Sequence, residues 1–157
     1  MIIHDADNTV DGSEIPKFIK KFKNNKSQLI IGTRLVKKIK KTAMKKPNYL
    51  GNIFFSILYS IIIKKKITDT LCGSKAIYRK DWLKIKKYWN KFLIEDHWGD
   101  FNLLLSAKIN DFEIEEVPIS YQERKYGETK MTKLPIQFIR MLIITIYGFF
   151  KIKFKKY

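Results

Sequence analysis

Two carboxylates one residue apart, Asp5 and Asp7 in Met1-Ile2-Ile3-His4-Asp5-Ala6-Asp7-Asn8, follow a short apolar run. If that run is a strand, residues two apart project to the same side, and both carboxylates face one ligand at the strand's exit. Such a pair suits a hard divalent cation shared with a diphosphate, because Mg²⁺ takes one or two carboxylates together with substrate phosphates. The same residues also read as plain turn chemistry, since Asp7-Asn8 is followed by Asp11-Gly12. The pair by itself leaves both readings open.

Six further motifs follow in order. Gly32-Thr33-Arg34 closes the apolar run Gln28-Leu29-Ile30-Ile31, and Asn48-Tyr49-Leu50-Gly51-Asn52 opens a long apolar segment. Then come Asp69-Thr70-Leu71-Cys72-Gly73-Ser74-Lys75 and Gly99-Asp100-Phe101-Asn102-Leu103-Leu104. Last are Glu116-Val117-Pro118-Ile119 and Glu123-Arg124-Lys125-Tyr126-Gly127-Glu128-Thr129-Lys130. In this sequence and spacing the motifs resemble the later part of a glycosyltransferase family 2 domain, most nearly the polyprenyl- (dolichyl-) phosphate mannose synthase type. The likeness runs from Asp5 to about Lys130.

That resemblance implies a fold, a reaction and a set of roles. The fold is α/β, an incomplete GT-A (nucleotide-diphospho-sugar transferase) fold with an open mixed sheet, flanking helices and two amphipathic interfacial helices. The reaction is transfer of mannose or another hexose from a nucleotide-sugar donor to a membrane polyprenyl phosphate. By the same resemblance Asp5 and Asp7 hold Mg²⁺ or Mn²⁺, with Asp7 the more direct ligand. Arg124 and Lys130 belong to a late basic loop over the donor phosphates, in which Gly127 supplies backbone freedom. Arg34 matches a phosphate-binding position near the reaction centre, and Asp100 an acid beside the acceptor. Asp69, Lys45, Lys46 and Asn52 are the acceptor-side candidates. The synthases carry a further basic residue near the place where Asn48 stands here. Asp100 is either a general base, if the acceptor is a hydroxyl, or an orienting group, since a lipid phosphate is already ionised. Asp69 fits a turn role as well as a contact role, and a solvated charge run is the plain alternative for Arg124 and Lys130.

In such synthases the acid pair lies at the end of a nucleotide-binding half, and here only Met1 to His4 precede it. The expectation is therefore an acceptor-side portion over residues 1–131, inactive by itself, followed by a basic amphipathic helix over 132–157. A separate chain supplying the nucleotide half is one form this can take. A non-catalytic basic module for membrane surfaces is the alternative function.

Composition bears on the partners. The 157 residues are 45% hydrophobic and 14% aromatic, which argues against disorder. Net charge is +17, from 32 Lys+Arg against 15 Asp+Glu. Only Arg34, Arg79, Arg124 and Arg140 are arginines, too few for a protein that reads base edges through bidentate contacts. Lysine spread along the chain suits phosphate-bearing or membrane surfaces instead, and a lysine-biased proteome gives the same pattern. Nucleic acid is not an expected partner, because the aromatics cluster in apolar helices rather than forming a stacking platform. Cys72 is the sole cysteine, so no intrachain disulfide forms, and the expected place is the cytoplasmic face of the cell membrane, peripherally bound. His4 and His97 have no companions at metal-ligand spacing.

The elements that must position these groups follow from periodicity. Met1 to His4 reads as a strand, and Ser13 or Asp11 caps a helix with Pro16 in its first turn. Leu29 to Ile31 reads as a buried strand ended by Gly32. Lys37 to Lys46 is a basic connection interrupted by Pro47. Leu50, Ile53, Phe54, Ile57, Leu58, Ile61 and Ile62 form one broad helical stripe within Tyr49–Ile63. That helix is shorter than the roughly 20 residues of a bilayer span and is flanked by lysines, so it reads as interfacial or as an ordinary core helix. Ala76–Arg79 and Phe112–Tyr121 read as strands, and Asp81–Lys91 and Gly99–Ile109 as helices. In the last helix, Leu134–Phe154, the apolar core from Met141 to Phe150 is ten residues, which predicts a surface-lying helix rather than a span.

Overall fold

The computed structural model describes residues 1–5, 7–24, 26–36, 43–89, 91–124 and 133–154. Four strands form one mixed sheet in the order β1-β3-β2-β4: β1 Ile2–Ile3, β2 Leu29–Thr33, β3 Lys75–Ile77 and β4 Ile114–Pro118. β3 is antiparallel to both β1 and β2, with Lys75 opposite Ile3 on one side and Ile31 on the other. β2 and β4 are parallel, in register from Leu29↔Ile114 to Thr33↔Pro118. β1, β2 and β4 therefore all run the same way, and their carboxyl ends share one edge of the sheet.

Side-chain alternation sorts the core into two layers. Leu29, Ile31, Ile77 and Ile114 point into the larger cluster, built with α2 (Lys46–Ile63), α4 (Asp100–Ile109) and α5 (Leu134–Lys153). Ile30, Ala76 and Val117 point the other way, onto Phe18 of α1 (Ile15–Asn24). α3 (Arg79–Lys86) closes the large layer through Ile85. α4 is buried at every position except Lys108, because it lies between the sheet and α5.

Local sequence explains the starts. Asp11 caps a short 3₁₀ turn, Gly12–Glu14, by accepting the Ser13 N–H at 2.8 Å, and α1 continues from it. Pro47 does not interrupt a connection. It stands in the first turn of α2, where a missing N–H costs nothing.

Four expectations are corrected. β1 is two residues long, so Asp5 and Asp7 lie beyond the strand and the two-residue alternation does not orient them. Gly32 does not end β2 but sits inside it. A Cβ there would lie 2.9 Å from Cys72 Sγ, 2.9 Å from Ile119 Cδ1 and 3.1 Å from the Ser74 carbonyl oxygen, so the strand passes only because the side chain is absent. On α2 the residues turned inward are Asn52, Phe55, Ser56, Tyr59, Ile62 and Ile63. Most of the predicted apolar stripe faces outward instead, with Leu50 and Ile61 each 65% exposed. Finally, α5 is 20 residues and is long and apolar enough to cross a membrane by length and composition. The expectation of a helix too short to span counted only the stretch between Arg140 and Lys151.

Gly32→Ala is expected to destabilise the fold by about 1–3 kcal/mol, the usual cost of forcing volume into a packed core. Urea unfolding checks this: the midpoint falls and the slope is unchanged. A midpoint equal to that of the parent protein would contradict the close packing at Gly32.

Candidate active site

Asp69 is the centre of the densest polar network. Its Oδ2 accepts Arg34 Nε at 2.7 Å and the Arg34 backbone N–H at 3.0 Å. Its Oδ1 accepts Arg34 Nη2 at 2.9 Å, Asn52 Nδ2 at 2.6 Å and the Leu71 N–H at 3.1 Å. Three predicted site residues thus meet: Arg34 from the end of β2, Asn52 from α2 and Asp69 from the loop before β3. Asn52 turns its own oxygen to the Thr70 N–H and hydroxyl, at 3.0 and 3.1 Å. Glu116 of β4 takes the Thr68 N–H and hydroxyl at 2.7 and 2.9 Å and the Asp69 N–H at 3.3 Å. Burial alone would push the Asp69 carboxyl up, but the charge and hydrogen bonds of Arg34, with that of Asn52, outweigh it and hold it below the usual carboxylate range. Burial likewise opposes the Arg34 charge, and Asp69 more than restores it.

Arg34 meets Asp69 side-on through Nε and Nη2, its Cζ lies 5.0 Å from the Tyr121 ring centroid, and its side chain is 12% exposed. Tyr121 was not among the residues singled out by sequence, because a lone aromatic after a strand carries no motif.

The acid pair stands at the carboxyl end of β1. Asp7 closes a turn by accepting the Thr9 N–H at 3.1 Å and the Thr9 hydroxyl at 2.7 Å, as the turn reading foresaw, and it also pairs with Arg124. Burial works to raise its carboxyl, but Thr9 and Arg124 bring it below the ordinary value. Asp5 is exposed and lies against Gly73, where any Cβ would overlap its carboxylate. His4 ties the same loop down, with Nε2 3.0 Å from the Val10 carbonyl oxygen and Nδ1 3.2 Å from Ser74 Oγ. The Gln122 N–H donates to the Thr9 carbonyl at 2.8 Å, so the loops leaving β1 and β4 are joined. Among the described residues no three His, Cys, Asp or Glu side chains gather as a closed metal cage. Asp5 and Asp7 are two carboxylates, a number that Mg²⁺ supplements with substrate oxygens when it binds a diphosphate.

Asp100 opens α4 and is bound by the ammonium of Lys75, which also donates to the Cys72 carbonyl. Burial raises the Asp100 carboxyl to about 6, against the pull of Lys75 and with Asp96 adding to the rise. Lys75 was quoted in a motif but given no role, since a lysine in a lysine-rich chain carries no signal. Lys45 and Lys46 are exposed at the start of α2. Lys130 lies outside the described residues.

A cleft of about 220 Å³ opens between the starts of α2 and α5. Phe55, Leu71, Phe138 and Met141 give it apolar walls, and Asn52 joins it to the Asp69 network. Asn48 Oδ1 and Gln137 Oε1 border it, buried without a hydrogen-bond partner among the described residues. From its rim the outward faces of α2 and α5 carry exposed apolar side chains, among them Leu50, Ile57, Ile139 and Phe150.

In open α/β sheets ligands bind outside the carboxyl ends of the strands. Here the carboxyl ends of β1, β2 and β4 bring an acid pair, Arg34 and Arg124 to that edge. Comparison with known proteins finds relatives. A dolichyl-phosphate hexose transferase of Haloferax volcanii is 30% identical over 131 residues, covering 83% of this chain and 53% of that protein. A low-salt glycan biosynthesis hexosyltransferase of the same organism is 23% identical over 150 residues, 92% of this chain and 34% of that protein. A dolichyl-phosphate beta-glucosyltransferase of Trichomonas vaginalis is 27% identical over 170 residues, 99% of this chain and 48% of that protein. No family model matches the chain, and no solved structure matches it. The chain is thus similar to dolichyl-phosphate sugar transferases and hexosyltransferases, in line with its resemblance to the family 2 glycosyltransferases. It spans about half the length or less of these curated relatives.

Asp69→Asn is expected to cost about 3–5 kcal/mol at pH 7, because Arg34 is left buried without its counter-charge. Since the folded Asp69 carboxyl titrates below its unfolded value, its contribution is complete above about pH 4 and is lost as pH falls through the lower, folded value. The gap between parent and variant should therefore narrow below pH 4 in urea melts. A gap under about 1 kcal/mol at pH 7, or one that does not change with pH, would contradict this account.

Proposed function

We propose that the chain is the acceptor side of a GT-A type glycosyltransferase that moves a hexose from a nucleotide diphosphate to the phosphate of a polyprenyl lipid. Residues 1–131 form the acceptor-side portion, and the basic helix of 132–157 lies against the cytoplasmic face of the cell membrane. The observation that carries this reading is the meeting of Asp7 and Arg124 at the edge of the sheet that also holds the Asp69 network and its apolar cleft.

In this reading Asp5 and Asp7 hold Mg²⁺ or Mn²⁺, which would neutralise charge on the leaving diphosphate. Arg124 leaves Asp7 for the diphosphate when the donor enters, and Lys130 joins it there. Both ends of the Asp7–Arg124 pair are 20–30% exposed, at 22% and 29%, so exchanging one anion for another costs little. The acceptor phosphate, already ionised, attacks without a base, and its hydrocarbon chain follows the cleft between α2 and α5. Lys45 and Lys46 meet its charge at the mouth. Arg34 keeps Asn52 and the Asp69 loop in place rather than binding phosphate directly. Further polypeptide, joined or separate, supplies the nucleotide half, and the chain by itself gives no turnover.

The chain is to be assayed alone and fused to a nucleotide-binding half, with GDP- and UDP-hexoses, Mg²⁺ or Mn²⁺ and polyprenyl phosphate. Lipid-linked sugar is expected only from the fusion. Within it Asp7→Ala abolishes turnover, and Arg124→Ala costs about 2–4 kcal/mol of transition-state stabilisation. Product from the chain alone would overturn the division of labour. Near-normal rates in both variants would overturn the site.

Membrane association is tested with vesicles. Binding to anionic vesicles should exceed binding to neutral ones and fall with salt, and Leu50→Glu with Ile139→Glu should abolish it. Equal binding to both lipids would refute the surface reading. Retention after alkaline carbonate extraction would instead make α5 a membrane span.

A further inference from the structure

Lys75 occupies a place where a lysine is costly. It lies in β3, between β1 and β2, and its side chain is 4% exposed. Methionine or leucine would fill that space without the several kcal/mol penalty of desolvating an ammonium. The ammonium has two partners, the Cys72 carbonyl and the Asp100 carboxylate.

Asp100 in turn has few other means of staying charged and fixed. It is the first residue of α4, after Gly99 at φ +74°, so the helix start favours its negative form. Against that stand burial and the neighbouring Asp96, whose carboxylate takes the Asn102 N–H at 2.8 Å and the Trp98 N–H at 3.3 Å. Arg34 acts on Asp100 more weakly than Lys75 does, and Asp69 acts on Lys75. The Cys72 thiol is pushed up to about 12 by burial and stays neutral. Lys75 is thus the one cation in direct contact with Asp100 among the described residues.

We propose that Lys75 is a positioning residue for Asp100: its ammonium holds the carboxylate charged and fixed at the start of α4, with the 12% of its side chain that stays exposed open to the acceptor. The word acceptor rests on the sugar-transfer reading; the pairing itself does not. Without the ammonium, Asp100 would lie buried beside Asp96 with only distant help. It would then take up a proton near neutral pH and lose its fixed orientation.

The test follows the Asp100 side-chain carbon by NMR in the full chain labelled at aspartate, with Asp100→Asn assigning the signal. In the parent protein the signal is expected to titrate at about 6. Lys75→Met should move that midpoint upward by about one pH unit or more, a tenfold change in proton affinity. Lys75→Arg should bring it back towards the parent value. If Lys75→Met does not fold, Lys75→Met combined with Asp100→Asn removes both charges and should fold better than the single variant. An unmoved midpoint in Lys75→Met, or a double variant no more stable than Lys75→Met, would overturn the proposal. In the fused enzyme Lys75→Met should lower kcat through loss of the fixed Asp100 carboxylate, with donor KM unchanged. Absence of transfer in the parent fusion would refute the sugar-transfer reading, and the titration would still decide the role of Lys75.

Discussion

A carboxylate buried as completely as Asp69 cannot be left short of partners, and much of the site is arranged to supply them. Five hydrogen bonds converge on it from Arg34, Asn52 and Leu71. Those partners come from the end of β2, from α2 and from the loop before β3, so one anion fixes three pieces of chain against each other. Glu116 reaches the same loop from β4. The walls of the cleft inherit their position from this network, since Asn52 and Leu71 belong to both. The interior is therefore specified by polar geometry where the sheet ends and by apolar packing elsewhere.

Much of this could be read from the sequence, for reasons that differ by element. The start of the first helix was legible because Asp11 and Pro16 act locally, whereas Pro47, read as an interruption, opens α2. The strands at Leu29 and Ile114 were legible because the sheet buries a run of β-branched and apolar residues. The pairing of Arg34 with Asp69 was not, since 35 residues separate them and both also fit ligand roles. Gly32 misled because a glycine after an apolar run usually marks a turn, whereas here Cys72, Ile119 and Ser74 crowd the strand. Lys75 was hidden by composition: among so many lysines nothing distinguishes the buried one. Its position opposite Ile3 and Ile31 is information that only the sheet register holds.

The inversion of α2 has the same kind of origin. Periodicity finds an apolar stripe but does not say which side the protein keeps. α2 keeps the side bearing Asn52, Ser56 and Tyr59, because Asp69 and Thr70 need Asn52 and the loop at Ile67 needs the Ser60 hydroxyl. The apolar stripe is left outside. α5 leaves Ile136, Ile139 and Phe150 outside in the same way. Exposed apolar faces of this extent on two adjoining helices exceed the scattered exposure of ordinary surfaces. Lys45, Lys46, Lys64 and Lys153 border them, as the proposed binding to an anionic lipid surface would require.

Two arginine–aspartate pairs, built from the same chemical groups, behave differently because their surroundings differ. Arg34–Asp69 is withdrawn from water, with side chains 12% and 0% exposed, so breaking it strands a buried charge. Arg124–Asp7 keeps 29% and 22% exposure, and water can solvate either partner when they part. The first pair suits a frame that must hold through every step of a reaction. The second suits the contact that, in the proposed reaction, a diphosphate and a cation would replace. Tyr121 lies against the Arg34 guanidinium and three residues before Arg124. The exchangeable pair therefore hangs from the rigid one by a short tether. In the proposed reaction, then, Arg124 is the partner free to exchange its anion while the Asp69 network holds the cleft.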